Sequence, residues 1–112
     1  MQYHDHSDYD YASNMSTHAP AALEAMQELN QQAIYGSDNP IPAKYAELMA
    51  LAVAFTTQCP YCIEKHTSLA KETGVTEEEI AQTTMIAASL RAGAAFGHGL
   101  MAMKFFNQEQ TQ

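Results

Sequence analysis

From Pro20 to Phe106 the apolar residues recur at helical spacing and nowhere alternate one by one, which limits the chain to helices joined by turns. Prolines and glycines mark where those helices begin and end. Pro20 suits a first helical position, and Leu23, Met26, Ala33 and Ile34 then fall on one stripe that ends near Gly36. Ser37 to Pro42 (SDNPIP) reads as a turn. A second helix is predicted from about Ala43 to Thr57, with Leu48, Leu51, Ala52 and Phe55 on one face. Met49 and Val53 make its other side apolar too, which places this helix inside the fold or an interface. Pro60 opens a third helix with Cys59 at its N-cap, and Gly74 closes it. The next start is the clearest. Thr76 and Glu79 make a capping box, and Val75 can staple onto Ile80. That helix is expected to run to about Arg91, after which Gly93, Gly97 and Gly99 interrupt a last, partly bent helical stretch from Leu100 to Phe106.

The fold class is therefore all-α, with five to six helices in one domain over residues 19–112. Residues 1–18 (MQYHDHSDYDYASNMSTH) have no apolar period and read as a flexible N-terminal arm. His4, Asp5, His6 and Asp8 in that arm are read as solvated residues rather than metal ligands.

Charge excludes several functions. The 112 residues carry 13 Asp and Glu against 5 Lys and Arg, a formal net charge of −8 that repels a phosphate backbone. Neither nucleic acid nor a membrane surface is an expected partner. The longest apolar run, Leu48 to Phe55, is far too short to span a bilayer, and Met1 to Thr17 lacks the basic and apolar segments of a signal peptide. The expected location is cytoplasmic. Both cysteines belong to one CxxC, so neither staples distant parts of the chain; in a reducing compartment such a pair reads as catalytic or metal-binding.

The chemistry follows from where the third helix begins. With Pro60 as the first helical residue, Cys62 sits in the first turn, where free N–H groups and the helix dipole stabilise a thiolate. A thiolate attacks disulfides and peroxides, and two sulfurs at this spacing can close a disulfide and reopen it. His66 lies one turn beyond Cys62 on the same face, where a near-neutral imidazole can take and return the thiol proton. Glu47 is the lone acidic residue between Tyr45 and Phe55, and beside the Leu51 and Phe55 rows its carboxylate can orient His66 in a Glu–His–Cys relay. Cys59, Cys62, His66 and Glu47 also offer four ligands to zinc, but structural zinc favours more sulfur and catalytic zinc needs an open position. No metal is expected, and no bound cofactor, because the chain has no GxGxxG fingerprint. Tyr61 reads as a cover for the sulfurs, His98 as a packing or interface residue, and Met49, Met85, Met101 and Met103 as core or interface fillers.

Glu47, eleven intervening residues, Cys59-Pro60-Tyr61-Cys62 and then His66 together resemble the signature of alkylhydroperoxidase D-like proteins of the carboxymuconolactone decarboxylase superfamily. The resemblance spans roughly residues 20–106. It implies a single-unit helical domain that assembles into homo-oligomers, trimers or hexamers, in keeping with the apolar Leu100, Met101, Met103, Phe105 and Phe106. It also implies an antioxidant thiol oxidoreductase of the alkyl hydroperoxide reductase or disulfide reductase type. In that scheme Cys62 reacts with a small hydroperoxide through a sulfenic acid, Cys59 resolves it, and His66 with Glu47 relays the proton. An external redox partner protein is required, either a peroxiredoxin or a lipoyl or thioredoxin-like donor.

Other readings fit less well. CPYC is also the glutaredoxin tetrapeptide, but there it follows a β-strand and here a helix. The lactone decarboxylase of the superfamily does not depend on a CxxC. A non-enzymatic zinc-binding or redox-sensing oligomer is separable by metal content and thiol count.

Overall fold

The computed structural model of the chain describes residues 3–109. A short 3₁₀ segment, His6–Tyr11, leads into five helices: α1 (Ala12–His18), α2 (Pro20–Tyr35), α3 (Ala43–Thr57), α4 (Pro60–Glu72) and α5 (Glu77–Asn107). Among the described residues there is no strand, and the all-α expectation holds.

The boundaries follow local chemistry. Pro20 and Pro60 both stand at the first helical turn, where a missing N–H costs nothing. α2 ends at Gly36, and the Asn39 side chain donates to the freed carbonyl of Gln32 at 2.8 Å. α4 closes with Gly74 at φ 89°: Gly74 N–H donates to the Lys71 carbonyl at 3.2 Å and Val75 N–H to the Ala70 carbonyl at 3.0 Å. That left-handed glycine closure delivers Val75 into the core beside Ala70. It also delivers Thr76 to the start of α5. Glu79 N–H donates to the Thr76 hydroxyl at 3.2 Å, and Thr76 N–H donates to the Glu79 carboxylate at 2.9 Å, which is the expected capping box. The Thr76 amide, and then Lys44 at 2.9 Å, hold the Glu79 carboxyl below the usual range.

The core is small. Leu51, Ala70 and Val75 are its buried centre, with Leu48, Phe55 and Ile80 packed against it. The packed face of α3 presents Glu47, Leu51 and Ala54, one helical turn apart, to α4 and α5. Its other side is bare within the chain: Met49 and Val53 are 53% and 60% exposed. The α2 stripe is bare in part: Met26 is 62% exposed, while Leu23 and Ile34 are half-buried. A radius of gyration of 19.1 Å, against about 13 Å for a compact chain of this length, expresses the same openness.

One expectation is corrected. The helix expected to end near Arg91 runs unbroken through Gly93, Gly97 and Gly99 to Asn107. Each glycine costs about 1 kcal/mol in a helix, and the alanines, leucines and methionines around them outweigh that when no proline intervenes. The glycines do not admit a close neighbour within this chain, since nothing lies within 4 Å of a Cβ built on any of them. His98 is exposed there. Residues 6–18 of the arm are helical, and His6, Asp8 and Tyr9 bond to α4.

Candidate active site

The site is assembled by the link between α3 and α4. Gln58 takes the left-handed conformation, φ 58° and ψ 48°, and Cys59 N–H donates to the Ala54 carbonyl at 3.1 Å. The chain thus turns without a loop, and α4 packs directly against α3. Cys59 is the N-cap of α4, as its place before Pro60 predicted, and its sulfur accepts the Cys62 N–H at 3.2 Å. Cys59 and Cys62 are joined in a disulfide, their Cα atoms 5.3 Å apart. Both sulfurs therefore belong to one first turn, where an opened Cys62 thiolate meets the positive helix end.

One turn on, His66 Nδ1 and Glu47 Oε2 lie 2.7 Å apart. Glu47 is 2% exposed and His66 7%. An ionised carboxylate can only accept, so Nδ1 is the donor toward Glu47; in the neutral imidazole this leaves the lone pair on Nε2. Burial makes the pair interdependent, because either group alone is an uncompensated polar group in the core. Read by itself, a glutamate in a helix is a solvated residue; here the α3–α4 packing has removed its water.

Tyr35, which no sequence pattern singles out, joins this group. Its hydroxyl is buried and has no hydrogen-bond partner. It stands by the Glu47 carboxylate without reaching bonding geometry. Its pKa is pushed up to about 12, first by desolvation, then by the Glu47 charge and acceptor oxygen.

Cys62 and His66 share the wall of a cavity of about 540 Å³, a size that accommodates a small organic molecule. Its other walls are mostly apolar, with Ile34 of α2, Ile41 of the following turn, and Met49 and Val53 of α3, beside the polar Asn39 and Thr57. The exposed side of α3 thus lines the approach to the sulfur. Tyr61, expected to cover the sulfurs, is held by the arm: its hydroxyl donates to Asp8 Oδ2 at 2.7 Å and its carbonyl accepts from the Tyr9 hydroxyl at 3.0 Å. Among the described residues no group of three or more His, Cys, Asp or Glu stands close enough to hold a metal ion, in the arm or around the cysteines. No helix among them is long and apolar enough to cross a membrane.

Fold and site together define an all-helical dithiol protein, with a CxxC at a helix start and a buried glutamate–histidine pair one turn behind. The chain belongs to the carboxymuconolactone decarboxylase family, whose sequence model matches residues 20–104. It is similar to "Uncharacterized protein 4 in cox locus" of Paracoccus denitrificans, at 39% identity over 64% of this chain and 65% of that protein, just under two thirds of its length. It is also similar to an uncharacterized protein of Haemophilus influenzae, at 40% identity over 82% of this chain and 80% of the relative. A third relative, from Cupriavidus necator, is 31% identical over 79% of this chain and 76% of its own length.

Proposed function

We propose that the chain is a thiol-dependent oxidoreductase of the alkylhydroperoxidase D type that reduces small organic hydroperoxides by cycling Cys59 and Cys62. The observation that carries this reading is the buried Glu47–His66 pair one turn behind Cys62, with Cys62 and His66 on the wall of one apolar cavity. His66 Nε2 takes the Cys62 proton, and the thiolate attacks the terminal peroxide oxygen. The O–O bond breaks, the alcohol leaves with a proton, and Cys62 becomes a sulfenic acid. Cys59 then attacks the Cys62 sulfur and expels water, which gives the disulfide present here. Hydroperoxide plus two thiols thus becomes alcohol, water and disulfide. Glu47 holds the imidazole in its working tautomer and stabilises it when protonated. An external dithiol protein in a reducing compartment such as the cytoplasm restores the thiols.

Self-association belongs to the same proposal. Leu90, Phe96, Leu100 and Phe106 of α5 are 67%, 71%, 57% and 86% exposed, more apolar helix than a small monomer keeps in water. Light scattering that returns a monomer would refute the association.

The chemistry is tested by stopped-flow reaction of the reduced protein with an organic hydroperoxide, with thiols counted before and after. Loss of two thiols is expected, abolished by Cys62→Ser and slowed about 10²-fold or more by His66→Ala. Absent thiol loss in the unsubstituted protein would refute the peroxidase reading.

A further inference from the structure

The cavity reaches Cys62 without touching the arm, since no arm residue lines it. The arm engages the motif elsewhere. Asp8 accepts the Tyr61 hydroxyl, Tyr9 donates to the Tyr61 carbonyl, and His6 Nδ1 pairs with Glu64 Oε1 at 2.7 Å. The rings of Tyr9 and His4 also meet that of Tyr61 edge-on, with centroids 6.0 and 6.3 Å away. These contacts grip the residue before Cys62 and the one two places after it. They come from four side chains, His4, His6, Asp8 and Tyr9, of a segment outside the family match at residues 20–104.

A protein that exchanges disulfides with this motif needs a footprint around it. Even a small redox interface covers about 500 Å² per partner, a disc roughly 25 Å across. Tyr61 lies between the two cysteines, its Cα about 3.8 Å from that of Cys62, so it falls inside any such disc. The arm lies there already.

We propose that His6–Tyr11 occupies the docking surface for a protein dithiol, and that such a partner displaces the arm before it reduces the Cys59–Cys62 disulfide. A small hydroperoxide meanwhile uses the cavity with the arm in place. The inference rests on the dithiol cycle proposed above. In the exchange step a partner thiolate attacks Cys59 Sγ, the bond between the cysteines breaks, and Cys62 leaves as a thiolate that takes a proton. The partner's second thiolate then attacks the mixed disulfide and releases Cys59, so two electrons pass and the partner ends as a disulfide. The His6–Glu64 and Tyr9–Tyr61 contacts are solvent-exposed and the Asp8–Tyr61 contact is half-buried, which suits a segment that opens without global unfolding.

The test uses the full chain carrying His6→Ala, Asp8→Ala and Tyr9→Phe together, with helix content checked by circular dichroism. Reduction of the disulfide is timed with dithiothreitol and with reduced thioredoxin as the protein dithiol. If the arm covers the surface about nine-tenths of the time, its release raises the thioredoxin rate about tenfold. The dithiothreitol rate stays within about twofold. An unchanged or lower thioredoxin rate, with normal dithiothreitol reduction, overturns the arm proposal and leaves the dithiol cycle standing. A disulfide that neither reductant opens overturns both.

Discussion

Replacing Glu47 and His66 by leucine, singly and together, separates what the pair does for stability from what it does for chemistry. At 2% and 7% exposure both groups are beyond the screening of water. Glu47→Leu leaves an imidazole with no carboxylate beneath it, and His66→Leu leaves a buried carboxylate with no donor. Breaking a buried pair from either side costs about 3–5 kcal/mol, a large share of the roughly 5–15 kcal/mol that holds a small domain folded. The double replacement removes both desolvation penalties and extends the Leu51 surface, so it recovers most of that loss, and such swaps run from neutral to about 4 kcal/mol stabilising. Urea unfolding of the oxidised forms, followed by helix signal, gives the four free energies and the coupling between the positions. The expected pattern is two weak singles, a double close to the parent, and hydroperoxide reactivity lost in all three variants. Additive losses would refute the buried-pair argument. A double variant that keeps parental reactivity would refute the relay even if the stabilities agree.

Gln58→Gly relieves a side chain held in the left-handed region at φ 58°, and it should stabilise the α3–α4 link by about 1 kcal/mol in thermal unfolding; destabilisation would mean the Gln58 side chain matters there. Tyr35→Phe removes a buried hydroxyl that has no partner, so stability should rise by about 0.5–1 kcal/mol, and a loss of that size would show that the hydroxyl does engage Glu47. Arm docking should depend on pH at both extremes. The Tyr61 hydroxyl, and then the Asp5 amide, lower the Asp8 pKa, so this contact is complete above the ordinary aspartate range and lost as pH falls through the depressed value. The Asp8 carboxylate and desolvation raise the Tyr61 pKa, so the same contact is complete below the ordinary tyrosine range and lost as pH rises through the raised value. His4, Tyr3 and Tyr9 are the other titratable groups that bear on it. Tyr61 ring resonances that keep one environment from acid to alkali would contradict this.

What the sequence made legible was local. Pro20, Pro60, Gly74 and the Thr76–Glu79 box each act within a few residues, and each stands where the pattern placed it. The Cys59 cap and the helical offset from Cys62 to His66 follow from the same short-range geometry. Glu47 was legible through a family signature and not through its own surroundings, because burial of a carboxylate depends on which helices pack over it. Tyr35 and the arm contacts were out of reach for the same reason: Asp8 and Tyr61 are 53 residues apart, and no periodicity links them. The run through Gly93, Gly97 and Gly99 was misread because glycine is a cost in a helix rather than a veto.

A core this small suffices for both proposed approaches to Cys62. Leu51, Ala70 and Val75 need only lock α3, α4 and the start of α5 together, because that alone buries Glu47 and His66 against each other. The exposed side of α3 is then free to line a cavity, and the first turn of α4 is free to meet another protein. A bare Met49 or Val53 in a helix so apolar looks like a packing failure in an isolated chain. Beside Cys62 it is the apolar wall that an organic hydroperoxide would meet. Trimming that wall by Val53→Ala removes apolar contact, so it should weaken reaction with a bulky hydroperoxide far more than with hydrogen peroxide, with stability within about 0.5 kcal/mol because the side chain is 60% exposed. Equal effects on both oxidants would show that the cavity takes no part in recognition.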